Sequence, residues 1–290
     1  MPVTSPILVL DSGLGGLTVV RALRRVLPYE DILYFGDTAR VPYGSKTAAT
    51  VIGFVRQIIS YFQPYDPKHV VIACNTATAL TLGPIREEFP HLSISGVIEP
   101  GSRAAVDAAG DRIKPLIGVI GTEATISSGA YERAILRRQQ SARVVSRPTP
   151  LLVPIIEEGR PQDDPLVHLA LQQYLQPLIT QQINVLVLGC THYPVYKDLI
   201  AQIMGPQVAV IDSADKCAED VLRRLRVEHL DRSDRRDRGS LRCFVTDRPP
   251  RFASLAARFL GLTIDEPTWV SLDELHALTS AADVGLRPAV

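Results

Sequence analysis

Two cysteines, Cys74 and Cys190, each follow a short apolar run of the kind that forms a buried strand. Cys74 is followed by Asn-Thr-Ala-Thr-Ala, a segment typical of a helix start. A helix start favours a thiolate, because its backbone N–H groups and its dipole stabilise negative charge. His192 follows Cys190 by two residues and is close enough to exchange a proton with it. We therefore interpret both thiols as functional, and Cys217 and Cys243 as buried packing residues.

A pair of thiols suits a reaction that inverts a carbon centre. Inversion needs a base that removes a proton from one face of the carbon and an acid that returns a proton to the other face. Two opposed groups can do this without either one crossing the plane of the substrate. A thiol, with an ordinary pKa of about 8.5, can act as base or acid near neutral pH. Disulfide oxidoreductases also use two thiols, but usually as Cys-x-x-Cys, a spacing that the sequence lacks.

Polar side chains that could assist the thiols also follow predicted strands. Asp11 comes after the first apolar run, where it could be an active-site acid or a helix N-cap. Asp37 follows the second run, and a role in the site and a role in a turn stay equally open for it. Glu157 and Glu158, taken alone, are typical of surface carboxylates at a helix end. Short polar residues that could bind the carboxylate and ammonium groups of a substrate are Asn75, Thr76 and Thr191. The segment Pro42-Tyr-Gly-Ser45 could offer backbone and hydroxyl donors to a carboxylate, or it could be only a turn.

The elements that position these residues are predicted to be strands and helices in alternation. Continuous apolar runs of four or five residues are typical of parallel strands buried on both faces, and they occur at 7–10, 32–35, 70–73, 116–120, 185–188 and 208–211. Helical patterns lie between them, at 17–27, 47–62 and 163–179. The alternation predicts an α/β fold, in which side chains at the carboxyl ends of the strands form the ligand site.

The order of these elements contains a faint internal repeat. Ile-Leu-Val-Leu-Asp-Ser-Gly at 7–13 resembles Ile-Gly-Val-Ile-Gly-Thr-Glu at 117–123. The segment around Cys74 resembles the segment around Cys190 at a similar distance along the chain. Two copies of one α/β unit, packed face to face, would bring the two thiols to opposite sides of a cleft.

The composition is that of an ordinary globular chain. Its 290 residues suffice for two domains, and equal counts of 31 basic and 31 acidic residues favour neither nucleic acid nor a membrane surface as a partner. The N-terminus lacks a signal-type segment and no apolar run has the length of a membrane span, so we expect a cytoplasmic protein with free cysteines. No clustered cysteine and histidine spacing indicates a metal site.

Taken together, the motifs resemble the glutamate racemase family within the aspartate/glutamate racemase superfamily. The segments that carry the resemblance occur in the family's order over about residues 7–214, and they are Asp11-Ser-Gly-Leu-Gly-Gly-Leu-Thr18, Gly36-Asp-Thr-Ala-Arg-Val-Pro-Tyr-Gly44, Cys74-Asn-Thr-Ala-Thr78, Gly121-Thr122, Val153-Pro-Ile-Ile-Glu-Glu-Gly159, Leu188-Gly-Cys-Thr-His-Tyr-Pro194 and Asp212-Ser-Ala214. One departure is Thr149, which stands where the family often has a cysteine.

The resemblance implies an architecture and a set of roles. It implies two flavodoxin-like parallel-sheet domains related by a pseudo-two-fold axis, with the active site in the cleft between them. The implied limits are 1–98 plus 212–290 for the first domain, which carries Cys74, and 99–211 for the second, which carries Cys190. Asp11 would act beside Cys74, and His192 with Glu157 beside Cys190. The implied substrate shell is Asp11, Ser12, Pro42, Tyr43, Gly44, Asn75, Thr76, Thr122, Thr191 and His192.

The activity that the resemblance implies is the interconversion of L- and D-glutamate without a cofactor or a metal, which would supply D-glutamate for peptidoglycan. Aspartate or a related amino acid is the nearest alternative substrate. Two other classes stay open, namely a thiol hydrolase that uses Cys190 with His192 and a non-catalytic binding protein on the same fold. Glutamate is the expected small-molecule partner, and a homodimer is implied by the resemblance alone.

Overall fold

The structure is a computed structural model that describes residues 2–233, 237–248, 252–261 and 263–283. Within these residues the chain forms two sheets whose paired strands are all parallel. The strands are β1 (Ile7–Asp11), β2 (Ile32–Gly36), β3 (His69–Ile72), β4 (Ile94–Gly96), β5 (Leu116–Gly121), β6 (Arg143–Pro148), β7 (Val185–Gly189), β8 (Ala209–Asp212), β9 (Leu241–Val245) and β10 (Thr268–Trp269). The predicted α/β class with two parallel-sheet domains is confirmed.

Helices connect the strands and cover the sheets. They are α1 (Leu17–Val26), α2 (Ala48–Phe62), α3 (Asn75–Glu88), α4 (Ile98–Ala109), α5 (Glu123–Ser127), α6 (Ala130–Arg138), α7 (Leu152–Glu157), α8 (Pro165–Thr180), α9 (Lys197–Met204), α10 (Ser213–Val227), α11 (Phe252–Leu260) and α12 (Leu272–Asp283). Among the described helices, none is both long and apolar enough to cross a membrane.

All six apolar runs form strands, because their side chains are apolar on both faces and the helices bury them. The strands β1, β2, β3 and β7 are buried along their whole length. The six runs do not include β4, β6, β9 and β10. The first and last of these have only three and two residues. The strand β6 lies at the edge of its sheet and carries arginine and serine side chains in place of an apolar run.

The two sheets repeat one topology. The first domain is built on the six-stranded sheet, in the order β10-β9-β2-β1-β3-β4, and the second domain on the four-stranded sheet, in the order β6-β5-β7-β8. In the first domain β1 lies between β2 and β3, and in the second domain β5 lies between β6 and β7. The direction of the strand order therefore reverses at β1 and at β5. Ligands of open α/β sheets bind at such a point, beyond the carboxyl ends of the strands. The residues that follow β1 and β3, and β5 and β7, are therefore placed for a shared site.

The two domains share apolar packing. The chain passes to the second domain through α4 and returns through α10, and these two helices pack together. Helix α1 packs against α10 and α11, and one apolar cluster includes Val20 and Leu23 of the first domain with Leu186 and Leu188 of the second. The predicted domain limits stay a prediction, and residues 284–290 of the first domain lie outside the described residues.

Candidate active site

A cavity of about 350 Å³ is lined by residues that follow β1, β3, β5 and β7, and both Cys74 and Cys190 lie in its wall. Among the described residues that line it, there is no lysine or arginine. Asp11 is buried and is not part of the lining. The other predicted shell residues all line the cavity, and they are Ser12, Pro42, Tyr43, Gly44, Asn75, Thr76, Thr122, Thr191 and His192.

Cys74 lies at the start of α3, where its Sγ accepts a hydrogen bond from the backbone N–H of Ala77 at 3.5 Å. Burial raises the pKa of Cys74 to about 12, and the charge of Asp11 adds to this rise. Hydrogen bonds from Ser12 and Ala77 act in the opposite direction. The helix start thus lowers the pKa as predicted, but burial outweighs it. Cys74 is therefore a thiol at neutral pH, and the expected thiolate is corrected.

Asp11 is the last residue of β1 and is fully buried. Its Oδ2 accepts a hydrogen bond from the backbone N–H of Gly13 at 3.0 Å, whereas its Oδ1 has no hydrogen-bond partner within the described part of the chain. Burial raises the pKa of Asp11, and the positive charge of His192 opposes the rise. The charge of Asp11 acts on the Cys74 thiol. A buried carboxyl group with one oxygen free of hydrogen bonds can accept a proton and return it.

The surroundings of Cys190 are different. His192 Nδ1 lies 3.7 Å from Cys190 Sγ, and His192 Nε2 lies 3.0 Å from an Oε atom of Glu157 at the end of α7. Burial alone would lower the pKa of His192, but Cys190 and Glu157 outweigh it and raise the pKa to about 10. At neutral pH the ring is therefore an imidazolium, which stabilises negative charge on the neighbouring sulfur. Glu157, which the residue pattern alone assigned to the surface, contacts this pair.

The first domain holds the turn that contains Thr191 and His192. The Thr18 hydroxyl donates to the backbone oxygen of Thr191 at 3.1 Å, and the ring of Phe259 meets the His192 imidazole edge to face at 5.3 Å between centroids. Gly15 approaches so closely that a Cβ there would lie 2.4 Å from Thr191 Oγ1 and 2.5 Å from His192 Nδ1. The absence of a side chain at Gly15 leaves the room that the imidazole occupies.

Hydroxyl groups from both domains meet at another part of the wall. Thr76 Oγ1 lies 2.9 Å from Thr122 Oγ1 and 3.2 Å from Thr125 Oγ1. Gly44 lies against Thr122, since a Cβ at Gly44 would be 3.0 Å from Thr122 Cβ. Thr122 is also the N-cap of α5. At this part of the wall the donors available to an anionic ligand are therefore hydroxyls and helix N-termini, and the charged His192 lies on the Cys190 side.

Asp37, for which two roles were open, anchors a loop. Its Oδ2 accepts hydrogen bonds from Arg40 Nε at 2.7 Å and from the Tyr43 hydroxyl, and its Oδ1 accepts one from Thr246 at 3.0 Å. Burial raises the pKa of Asp37, and Arg40 opposes the rise. Asp37 is outside the cavity lining. It therefore supports the loop that presents Tyr43 and Gly44 to the cavity.

A family profile described as Asp/Glu/hydantoin racemase matches residues 15–221, a span that includes both thiols and most of the chain. The chain belongs to the Asp/Glu/hydantoin racemase family. Among its relatives in that family, a protein named glutamate racemase from Syntrophus aciditrophicus is 44% identical over 263 residues, which cover 91% of this chain and 95% of the relative. A glutamate racemase of Neisseria meningitidis is 43% identical over 267 residues, which cover 92% and 97% of the two chains.

Solved structures of racemases in this family share the fold. The crystal structure of glutamate racemase from Francisella tularensis in complex with D-glutamate superposes with a TM-score of 0.85 at 36% identity, covering 93% of this chain and 99% of that chain. The glutamate racemase from Thermus thermophilus, in complex with beta-chloro-D-alanine, has a TM-score of 0.83 at 41% identity, with 94% and 100% of the chains covered. These matches agree with the two parallel sheets described above.

The cavity of this racemase-family chain also contains residues that the sequence analysis did not single out. They are four apolar or proline residues and one acid, namely Val41, Pro150, Val153, Pro154 and Glu123. Val41, Val153 and Pro154 belong to quoted motifs and could have been chosen from them. Thr149, the one departure from the family pattern, is buried and shares a hydrogen bond of 2.6 Å with the Tyr193 hydroxyl.

Proposed function

We propose that this chain interconverts L- and D-glutamate by proton transfer at Cα, with Cys74 and Cys190 acting on opposite faces of the substrate. The observation that carries the proposal is that both thiols, one from each domain, lie in the wall of the same cavity. Relatives named glutamate racemase, at up to 44% identity over nearly the whole chain, support the same substrate. A one-thiol hydrolase would need only Cys190 and His192, and it would leave Cys74 without a role.

The two thiols exchange roles in each turnover. A thiolate on Cys190 removes the α-proton and becomes a thiol, while Cys74 gives its proton to the opposite face of the carbon and becomes a thiolate. In the reverse direction the Cys74 thiolate removes the proton and the Cys190 thiol donates. His192 as an imidazolium stabilises the Cys190 thiolate, and Asp11 holds the proton of Cys74 when that sulfur must become a base.

Both carboxylates of the substrate are held by neutral donors, while the charged His192 acts on Cys190. The first backbone N–H groups of α3 have no acceptor within their helix, and they adjoin Cys74. They suit the α-carboxylate, because the proton that Cys74 exchanges lies on the neighbouring carbon. The side-chain carboxylate is then left for donors on the far wall, which include Tyr43, Gly44 and Thr122. The proposed reaction uses no cofactor. We also propose that its product, D-glutamate, is supplied for peptidoglycan.

The test is incubation of purified, reduced protein with L-glutamate in D2O without added cofactor. We expect loss of circular dichroism together with loss of the Cα–H NMR signal, because the returning proton comes from a thiol that exchanges with solvent. Aspartate measured under the same conditions separates the nearest alternative substrate. A folded protein that changes neither signal with glutamate would overturn the proposed substrate, and no exchange with either acid would favour the non-catalytic binding protein. The cytoplasmic location and the homodimer stay predictions.

A further inference from the structure

Tyr131 is a buried residue of α6 in the second domain that the mechanism above does not use. Its hydroxyl donates a hydrogen bond to Asn75 Oδ1 in the first domain at 2.7 Å. Asn75 is the residue after Cys74 and lines the cavity. The hydrogen bond therefore joins the second domain to the turn that carries the first domain's thiol.

The ring of Tyr131 also touches the turn that carries the other thiol. Gly189 comes directly before Cys190, and a Cβ at Gly189 would lie 3.2 Å from Tyr131 Cε2. On the other side, a Cβ at Gly101 of α4 would lie 3.5 Å from Tyr131 Cε1 and Oη. The two glycines leave space for the ring, which is fixed between β7 and α4. One side chain thus contacts both thiol-bearing turns.

The hydrogen bond decides which end of the Asn75 amide is free. Because Oδ1 accepts the Tyr131 proton, the Nδ2 group is turned away from Tyr131, and Nδ2 is buried with no hydrogen-bond partner among the described residues. A buried amide N–H group without a partner is unfavourable, so a ligand that accepts its hydrogen bond gains affinity. An amide in the reverse orientation would present an oxygen, which would repel a carboxylate.

The need for this donor follows from the charge of the cavity. No lysine or arginine is found among the described residues that line it, and the His192 imidazolium lies beside Cys190, so an anionic group next to Cys74 depends on neutral donors. Ser213, the first residue of α10, also hydrogen-bonds to Tyr131 and thereby opposes the rise in its pKa that burial causes. Because the Tyr131 oxygen accepts the hydrogen bond from Ser213, the Tyr131 O–H group is left to donate to Asn75.

We propose that Tyr131 is a positioning residue that orients the Asn75 amide so that Nδ2 binds the α-carboxylate of the substrate, and that the second domain in this way completes the Cys74 side of the site. The inference rests on the proposed function. It assigns a role to a hydroxyl that touches neither thiol nor substrate.

The test is a double-mutant cycle with Tyr131→Phe, Asn75→Ala and the double variant, using the full chain and L-glutamate as substrate. Tyr131→Phe keeps the ring and removes the hydroxyl, so we expect KM to rise about tenfold, the equivalent of one lost hydrogen bond, with a smaller change in kcat. The double variant should be no worse than Asn75→Ala, because both changes remove the same interaction.

The matched control is Tyr196→Phe, which removes the hydroxyl of another buried tyrosine of the second domain, one that donates to the Arg160 backbone oxygen at 2.8 Å. This variant should keep the KM of the wild type, and denaturant unfolding measures the stability that each variant loses. An active wild type with an unchanged KM in Tyr131→Phe would overturn the inference alone, as would losses that add in the double variant. A folded wild type that does not racemise glutamate would overturn the proposed function and this inference together.

Discussion

At the residue scale, the two thiols share a cavity but differ in the charges around them. Cys74 lies near the carboxyl group of Asp11, and burial keeps it protonated. Cys190 lies next to a histidine that carries a positive charge because Cys190 and Glu157 overcome the effect of burial. Before substrate binds, Cys74 is therefore a protonated acid on one side, and on the other side the His192 imidazolium lies where it can stabilise a thiolate.

Replacing either thiol tests the paired mechanism. We expect Cys74→Ser and Cys190→Ser each to lower kcat by roughly 10³-fold or more, because general acid–base groups contribute about 10² to 10⁴ to the rate. The control is Cys217→Ser, a buried cysteine of α10 outside the cavity lining, which should retain activity. Racemisation rates of the three variants, followed by circular dichroism, make the comparison. Full activity in either active-site variant would contradict the mechanism.

The charged state of His192 predicts a pH dependence of stability. Its pKa is raised from an ordinary 6.5 to about 10 in the folded chain, so folding binds a proton more tightly. The resulting stabilisation is complete below about pH 6.5 and is lost as the pH rises through 10. Glu157→Gln removes one cause of the raised His192 pKa. The free energy of unfolding of the wild type should therefore exceed that of the variant at pH 6, and this difference should shrink as the pH rises to 10. Urea unfolding from pH 6 to 10 measures it, and a constant difference would refute the linkage.

At the element scale, the site is built from the turns that follow four parallel strands. Close contacts between the domains are made by small or polar residues of these turns, such as Gly15 against Thr191 and Gly44 against Thr122. The glycine-rich turn after β1 is the clearest case. Gly15 approaches the turn after β7, and Thr18 at the start of α1 holds that turn by a hydrogen bond to Thr191. The two half-sites therefore depend on each other for their geometry.

Adding a methyl group at Gly15 should separate the half-sites. In Gly15→Ala the new Cβ would meet Thr191 Oγ1 and His192 Nδ1 at 2.4 and 2.5 Å, so the imidazole must move away. We expect about 1–3 kcal/mol of lost stability and a fall in kcat of roughly tenfold or more, the factor that corresponds to about 1.4 kcal/mol.

The control for this change is Gly53→Ala in α2, where a Cβ meets nothing within 4 Å. That variant should keep its activity and gain up to about 1 kcal/mol, because alanine is the better helix former. Equal racemisation rates of the two variants would show that the close approach at Gly15 is not required for activity.

At the scale of the whole molecule, the two domains are joined by more than the cleft. A single apolar cluster contains buried residues of both sheets and of α1, α10 and α11. Polar contacts cross the same boundary, including Tyr131 to Asn75 and Thr18 to Thr191. The two domains therefore share one apolar cluster, which includes Cys190 of the cavity wall.

This shared core predicts that the domains unfold together. The single tryptophan, Trp269, lies in β10 and reports on the six-stranded sheet, whereas far-UV circular dichroism reports on both domains. In urea we expect the two signals to give coincident transitions with one midpoint. Two separated midpoints would show that each domain is stable alone and that the interdomain cluster contributes little.

The sequence by itself determined the strands, the fold class and the two thiols as candidates, because each depends on local composition. Five of the six apolar runs form interior strands and the sixth forms the edge strand β8, and a cysteine that follows a parallel strand lies at the end where ligands bind. The strand β6 was missed for the complementary reason, since an edge strand needs no continuous apolar run.

Tertiary structure alone decided which side chains support the thiols and in which direction the pKa values of Cys74 and His192 are shifted. Tyr131, Phe259 and Gly15 reach the site from elements that are distant in sequence, and no local pattern records such contacts. The lowering of the Cys74 pKa by the helix start was visible in the sequence, but the burial that outweighs it and raises the pKa was not. Desolvation depends on everything that surrounds a group, so it is known only once the two domains are placed together.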